Sequence, residues 1–198
     1  MSTTEDAPAA VVQGTGIADP APLGLAAFAL TTFLLSAVNA GWANNTSGLA
    51  WLGYALAYGG LVQLLAGMWE FRNRNVFGST AFSTYGGFWI GLGLWALLVH
   101  GKEQDLGWIL LAFAIFNTYM LVFATQLNTA VFLVFLTLEL TEIFLFIGAF
   151  AGNTTIGKVG GYLGIITALV AWYTSAAGVI NGMKGRAVLP VGKPLLTM

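Results

Sequence analysis

Six stretches of nearly unbroken apolar residues alternate along this chain with short polar breaks. Their approximate limits are Pro20–Trp42, Leu49–Trp69, Ala81–Val99, Gly107–Thr125, Ala130–Gly152 and Gly160–Ile180. Each is about 20 residues long, the length a helix needs to cross roughly 30 Å of hydrocarbon. The breaks, such as Asn44-Asn45-Thr46-Ser47, are rich in Asn, Thr, Ser and Gly. A transmembrane barrel would instead show alternating segments of about ten residues. The pattern predicts an all-α integral membrane bundle of six transmembrane helices. It divides the chain into a flexible N-terminal tail over 1–18, a transmembrane domain over 19–183 and a C-terminal tail over 184–198.

Charge orients that bundle. Six spans put both termini on one side, together with Arg72, Arg74, Lys184, Arg186 and Lys193, and leave Lys102 and Lys158 on the other. The positive-inside bias then predicts cytoplasmic termini in an inner or plasma cell membrane. The tail opens with acids and has no long apolar run, which excludes a signal peptide. Trp42, Trp51, Trp69, Trp108 and Tyr162 fall near predicted helix ends, where interfacial rings belong.

Composition agrees and narrows the chemistry. Hydrophobic residues make up 58% of the chain and charged ones 8%, against roughly 25% charged in soluble domains. There is no cysteine, so disulfides and thiol chemistry are excluded, and the single histidine, His100, cannot build a multi-histidine metal centre. His100 borders the polar run His-Gly-Lys-Glu-Gln-Asp and reads as a solvated interfacial residue. A net charge of −1 without a basic run argues against a nucleic-acid partner. No nucleophile–base–acid set and no phosphate loop appears, so an enzyme is not expected, nor is a cofactor. The 26 glycines include pairs spaced for close helix packing: Gly87 with Gly91, Gly148 with Gly152, Gly160 with Gly164 and Gly178 with Gly182.

Polar residues inside the spans carry the functional signal, because each costs energy in hydrocarbon. Around the first helix, Thr32 lies about 40° and Asn39 about 20° from Phe28, so the three share a face. Gln63 and Glu70 share a face of the second. Asn117 and Thr118 sit in the fourth, and Thr137, Glu139, Thr141 and Glu142 in the fifth. Ordinary interhelical hydrogen bonding accounts for any one hydroxyl; the set as a whole reads as the lining of a wet path. Glu70 is read either as an interfacial acid paired with Arg72 or Arg74, or as part of a pathway mouth. Glu139 and Glu142 lie mid-helix, where an ionised carboxylate costs several kcal/mol. They must be protonated, paired or wetted, which makes them candidates for proton coupling.

The motif Asp19-Pro20-Ala21-Pro22-Leu23-Gly24-Leu25 resembles the Asn-Pro-Ala-Pro-Leu-Gly-Leu signature of the acetate uptake transporter family, with Asp19 in place of Asn. Gly59-Gly60-Leu61-Val62-Gln63 through Gly67 and Glu70 resembles that family's second helix, and Phe77-Gly78-Ser79-Thr80-Ala81-Phe82-Ser83-Thr84-Tyr85-Gly86 the start of its third. Ala151-Gly152-Asn153 and Gly185-Arg186-Ala187-Val188-Leu189-Pro190 extend the resemblance to about residue 192. It implies six helices per subunit, a homohexameric ring and a conduction path in each subunit. The cargo it implies is acetate and, in some members, succinate, with proton coupling commonly described. It also implies a constriction formed by Phe28, Tyr85 and Leu138.

Physics adds to that expectation. Prolines are tolerated in a first helical turn, and its remaining N–H groups, from Asp19 to Gly24, offer partial positive charge to a carboxylate. From Leu138, Glu142 is rotated about 40° and Glu139 about 100°. Glu142 is therefore expected on the pore face and Glu139 at a helix or subunit interface. The leading expectation is a carrier or channel for short monocarboxylates, gated by Phe28, Tyr85 and Leu138 and lined by Thr32, Asn39, Gln63 and Glu70. The competing readings are a non-transporting membrane sensor or scaffold, and an ammonium or cation pathway.

Overall fold

The computed structural model describes residues 16–43, 50–99 and 103–196. The Asn44–Ser47 break, His100, Lys102 and most of the N-terminal tail lie outside the described residues. Among the described residues, six helices are long and apolar enough to cross a membrane. They are α1 (Ala21–Asn39), α2 (Ala50–Arg72), α3 (Val76–Leu98), α4 (Glu103–Ala124), α5 (Thr129–Ala151) and α6 (Thr154–Lys184). The all-α reading holds for these residues.

Capping explains where the limits move from those the hydropathy suggests. Helix α3 begins five residues before Ala81 because the Asn75 side chain accepts a hydrogen bond from Gly78 N at 3.0 Å. Asn128 does the same for α5 through Val131 N, at 3.0 Å. Asn153 caps α6 through Thr155 N and Ile156 N, starting it well before Gly160. Gly185, at φ 60°, ends α6 in the left-handed region that glycine adopts without strain. Two widened turns escape a hydropathy reading altogether: α2 passes through π geometry over Ala57–Val62, and α3 ends in it over Trp95–Val99.

Helix α6 packs along α1 and α5, α4 packs on α5, and α2 packs on α3 and α1. Glycine makes several of these approaches possible. A Cβ at Gly161 would strike the backbone of Asn39 and Ala40, and one at Gly86 would lie 2.7 Å from Leu64 N. Gly160 meets Leu145 and Gly178 meets Pro22, whereas Gly87, Gly91, Gly152 and Gly182 face open space. The predicted glycine pairs therefore split between contacts within the subunit and outward faces.

The segment after α6 is tied back to the bundle. The Asn181 side chain donates to Leu189 O and accepts from Val188 N and Leu189 N. Tyr173 OH donates to Pro190 O at 2.6 Å, and Ala130 N donates to Val191 O.

Candidate functional site

Three cavities follow one another through the bundle. The first, about 230 Å³, opens among Asp19, Asn75 and Asn128 and runs past Leu25 and Gln63. The second, about 40 Å³, is bordered by Thr32, Ser36, Asn39, Trp89, Thr141 and Glu142. The third, about 210 Å³, reaches Trp51 and Asn153 at the opposite helix ends. Phe28, Tyr85 and Leu138 are the residues that line both the first and the second cavity. Leu35, Asn39, Leu110 and Leu145 line both the second and the third. The lining is mostly apolar, and among the described residues that form it there is no Lys, Arg or His.

The waist between the first two cavities is held from all sides. Phe28 comes from α1, Tyr85 from α3 and Leu138 from α5, and all three are buried. The Phe28 and Tyr85 rings meet edge to face, with centroids 5.8 Å apart and planes at 63°. Phe88, Phe113 and Phe116 pack around Tyr85 at 5.5–6.2 Å, a geometry that edge-to-face aromatic contacts favour. The Tyr85 hydroxyl lies 3.0 Å from Asn117 Oδ1 and 3.2 Å from Glu142 Oε1. It thereby joins α3 to α4 and α5.

Buried polar atoms are normally paired. Along these cavities four are not: Thr32 Oγ1, Gln63 Oε1, Trp89 Nε1 and Glu142 Oε2. Leaving such groups unpaired costs roughly 1–3 kcal/mol each. Water or a passing solute in the cavities would satisfy them. Together they offer acceptors and a donor to a small polar molecule at intervals along an otherwise apolar route.

The sequence-predicted residues distribute unevenly over this geometry. Phe28, Tyr85 and Leu138 come together at the waist, Thr32 and Asn39 line the second cavity, and Gln63 lines the first. Glu142 lines the second cavity, while Glu139 turns to α4, accepting from Asn117 Nδ2 at 2.7 Å and Thr118 Oγ1 at 2.8 Å. Glu70 departs from expectation. It is fully buried, accepts a hydrogen bond from Asn73 Nδ2 at 3.1 Å and lies under Gly78, where a Cβ would be 2.7 Å from Glu70 Oε1. It borders none of the three cavities. Neither is it ion-paired with Arg72 or Arg74, both of which are exposed. The tight α2–α3 turn folds it beneath α3, so it braces the turn.

The helix-start motif also departs from expectation. Its first-turn donors are already engaged: Ala21 N donates to Asp19 Oδ1, and Leu23 N and Gly24 N donate to Pro20 O. Asp19 and Ala21 border the first cavity, but Pro20, Pro22, Leu23 and Gly24 do not. The motif packs instead. Gly24 makes room for the Phe82 ring, and Pro22 O accepts from Ser175 Oγ of α6 at 2.6 Å. Free donors for an anion are therefore few at this helix start. Sequence reasoning passed over Trp89 as a lining group, and it treated Asn117 as one more polar residue. An amide midway along an apolar helix was the available signal.

The profile described as the GPR1/FUN34/yaaH family matches residues 3–193. The chain is 39% identical over 201 residues to acetate permease A of Emericella nidulans, covering 91% of this chain and 67% of that one. It is 39% identical over 189 residues to the succinate-acetate/proton symporter SatP of Escherichia coli K12, covering 90% and 97%. It spans 61% of the length of two yeast relatives. The solved structure of the bacterial acetate channel SatP superposes with a TM-score of 0.85 at 35% identity, covering 89% of this chain and 99% of that one.

Proposed function

From the premise that this chain belongs to the GPR1/FUN34/yaaH family, we propose that it carries short monocarboxylates, acetate foremost, across the membrane. It is a multi-pass membrane transport protein and not an enzyme. The observation that carries the substrate reading is the row of three cavities pinched at Phe28, Tyr85 and Leu138. An apolar waist of this kind passes a methyl group and holds back larger, more hydrated anions. Thr32, Asn39 and Gln63 supply hydrogen bonds on either side of it.

The charge pattern favours movement with a proton. A bare carboxylate would travel between Asp19 and Glu142 with no lining cation to offset it, and like charges at short range in a poorly polarisable interior repel strongly. A carboxylate accompanied by a proton avoids that cost, and Glu142 is placed to hold one. Succinate, with two carboxylates, is expected to pass less readily. The reading extends to cytoplasmic termini, to the division at residues 18 and 184, and to a homohexamer with one path per subunit. The outward-facing Gly87 and Gly91 support a subunit contact, since neither meets another part of its own subunit.

The test is uptake of labelled acetate into liposomes holding the purified protein, with and without an inward proton gradient. Acetate uptake that rises with the gradient is expected. No uptake under either condition would leave the sensor or scaffold reading, and ammonium flux in place of acetate flux would favour the cation pathway.

A further inference from the structure

A tyrosine hydroxyl has one proton to donate, yet Tyr85 Oη lies within hydrogen-bond reach of two oxygens, Asn117 Oδ1 and Glu142 Oε1. Asn117 cannot turn to resolve the conflict. Its amide nitrogen donates to Phe135 O at 3.0 Å and Glu139 Oε2 at 2.7 Å, which uses both amide protons and fixes Oδ1 as an acceptor toward Tyr85. With the Tyr85 proton on Asn117, the shorter of the two contacts, both are satisfied only if Glu142 is the donor.

The surroundings of the two acids agree with that assignment. Glu139 Oε2 accepts from the Asn117 amide at 2.7 Å, while its Oε1 shares the single Thr118 hydroxyl proton with Ala114 O, both 2.8 Å from Thr118 Oγ1. Glu142 is 3% exposed, receives no such set of donors, and its Oε2 has no partner. The groups facing it from α1 and α6 are uncharged: Thr32 and Ser36 across the cavity, and Thr167 beyond Thr141. The titratable groups that bear on it are Glu139 on its own helix and Tyr85 on α3.

We propose that Glu142 carries a proton donated to Tyr85, and that loss of this proton turns the Tyr85 hydroxyl away from Asn117, so that the waist senses the charge on Glu142. The inference rests on the reading of these cavities as a carboxylate path. In the forward step the O–H bond of Glu142 breaks and its electron pair stays on Oε1. The proton passes to a carboxylate or a water in the adjoining 40 Å³ cavity. Tyr85 then donates to Oε1 and Asn117 Oδ1 loses its partner. Return of a proton to Glu142 restores the original pattern. Glu139 acts through Asn117 as a positioning residue, because its oxygen accepts from the amide and holds that orientation, a role the side-chain oxygen of a Glu139→Gln variant keeps.

Infrared spectroscopy of the full chain in lipid at neutral pH tests this without depending on transport. A protonated-carboxyl C=O band is expected in the unsubstituted protein, absent in Glu142→Gln, shifted in Tyr85→Phe and retained in Glu139→Gln. A band that survives in Glu142→Gln, or that vanishes in Glu139→Gln instead, overturns the assignment. Acetate flux measured from pH 5 to pH 8 adds the coupling: the slope with pH should flatten in Glu142→Gln. An unchanged slope in that variant overturns the coupling step. If the unsubstituted protein moves no acetate, the transport reading falls, and the infrared bands still decide whether Glu142 is protonated.

Discussion

The two cavities that meet at Phe28, Tyr85 and Leu138 are built from opposite resources. The one beneath Asp19 is roomy, about 230 Å³, with its polar groups at the rim and Gln63 inside. The one beyond the waist is about 40 Å³ and crowds Thr32, Trp89, Thr141 and Glu142 around that space. A bound water needs only about 10–15 Å³ of such volume, so the inner cavity has room for a few waters or one small solute. The wide side can admit many small molecules. On the reading proposed above, selection and proton chemistry fall to the narrow side, where a solute meets a carboxyl group and unpaired donors or acceptors. On that reading size discrimination and proton handling adjoin, joined by the Tyr85 ring and its hydroxyl.

The largest effect is expected where the narrow side is held together. Gly161 lets α6 touch the backbone of α1 at Asn39 and Ala40, and Asn39 lines both the second and third cavities. Gly161→Val forces the two helices apart. Overpacking of this kind costs about 1–3 kcal/mol or more, and the wide cavity, which Gly161 does not border, should suffer less. A clear drop in the melting temperature of the purified protein checks it, with Gly157→Ala as the control, since a Cβ there meets nothing within 4 Å. Equal melting temperatures for the two variants would mean that the close approach of α1 and α6 does not matter.

Next comes the waist itself. Leu138→Ala removes one of the three side chains that separate the cavities. The uptake ratio of butyrate to acetate should rise on the order of tenfold, in line with the 1–3 kcal/mol that a pocket exerts per methylene. Competition uptake in liposomes measures that ratio directly. An unchanged ratio would place the selective step elsewhere, in the third cavity or at the rim.

How far the sequence anticipated this contrast depends on which kind of information each part needs. Hydropathy sufficed for six spans, and helical periodicity sufficed to put Thr32 and Asn39 on the face of Phe28 and Glu142 on the face of Leu138, because those relations live within one helix. The meeting of Phe28, Tyr85 and Leu138 is a relation among three helices, and it was legible only through resemblance to a family. Glu70 was read as functional because it shares a polar face with Gln63, and the helix-start motif because free helix-start donors suit an anion. Their actual partners, Asn73 and Pro20, lie within four residues of them, and such local hydrogen bonds compete silently with any longer-range role. The π turns left no trace in hydropathy, since they change the backbone and not the pattern of side chains. Asn117 shows the remaining limit. Its presence in an apolar helix announced a partner, but which protons it spends on Glu139 and Phe135 depends on side-chain directions from two neighbouring elements.

The smallest expected effect sharpens the contrast from the wide side. Asp19 is exposed at the rim, and its Oδ1 accepts from Ala21 N at 3.0 Å. Asn is as good a cap as Asp, so Asp19→Asn keeps that hydrogen bond and removes one negative charge from the mouth. A charge near a helix end is worth about 0.3–1 kcal/mol when exposed, which corresponds to a roughly two- to fivefold lower half-saturation concentration for acetate. The gain should shrink between low salt and about 0.15 M ionic strength, where the screening length is about 8 Å. It should also leave the slope of flux with pH as it was, because Glu142, the proposed proton holder, lies across the waist. A variant that altered the pH slope as strongly as the half-saturation would show that the rim and the inner cavity titrate together, and the division of labour between the two cavities would fail.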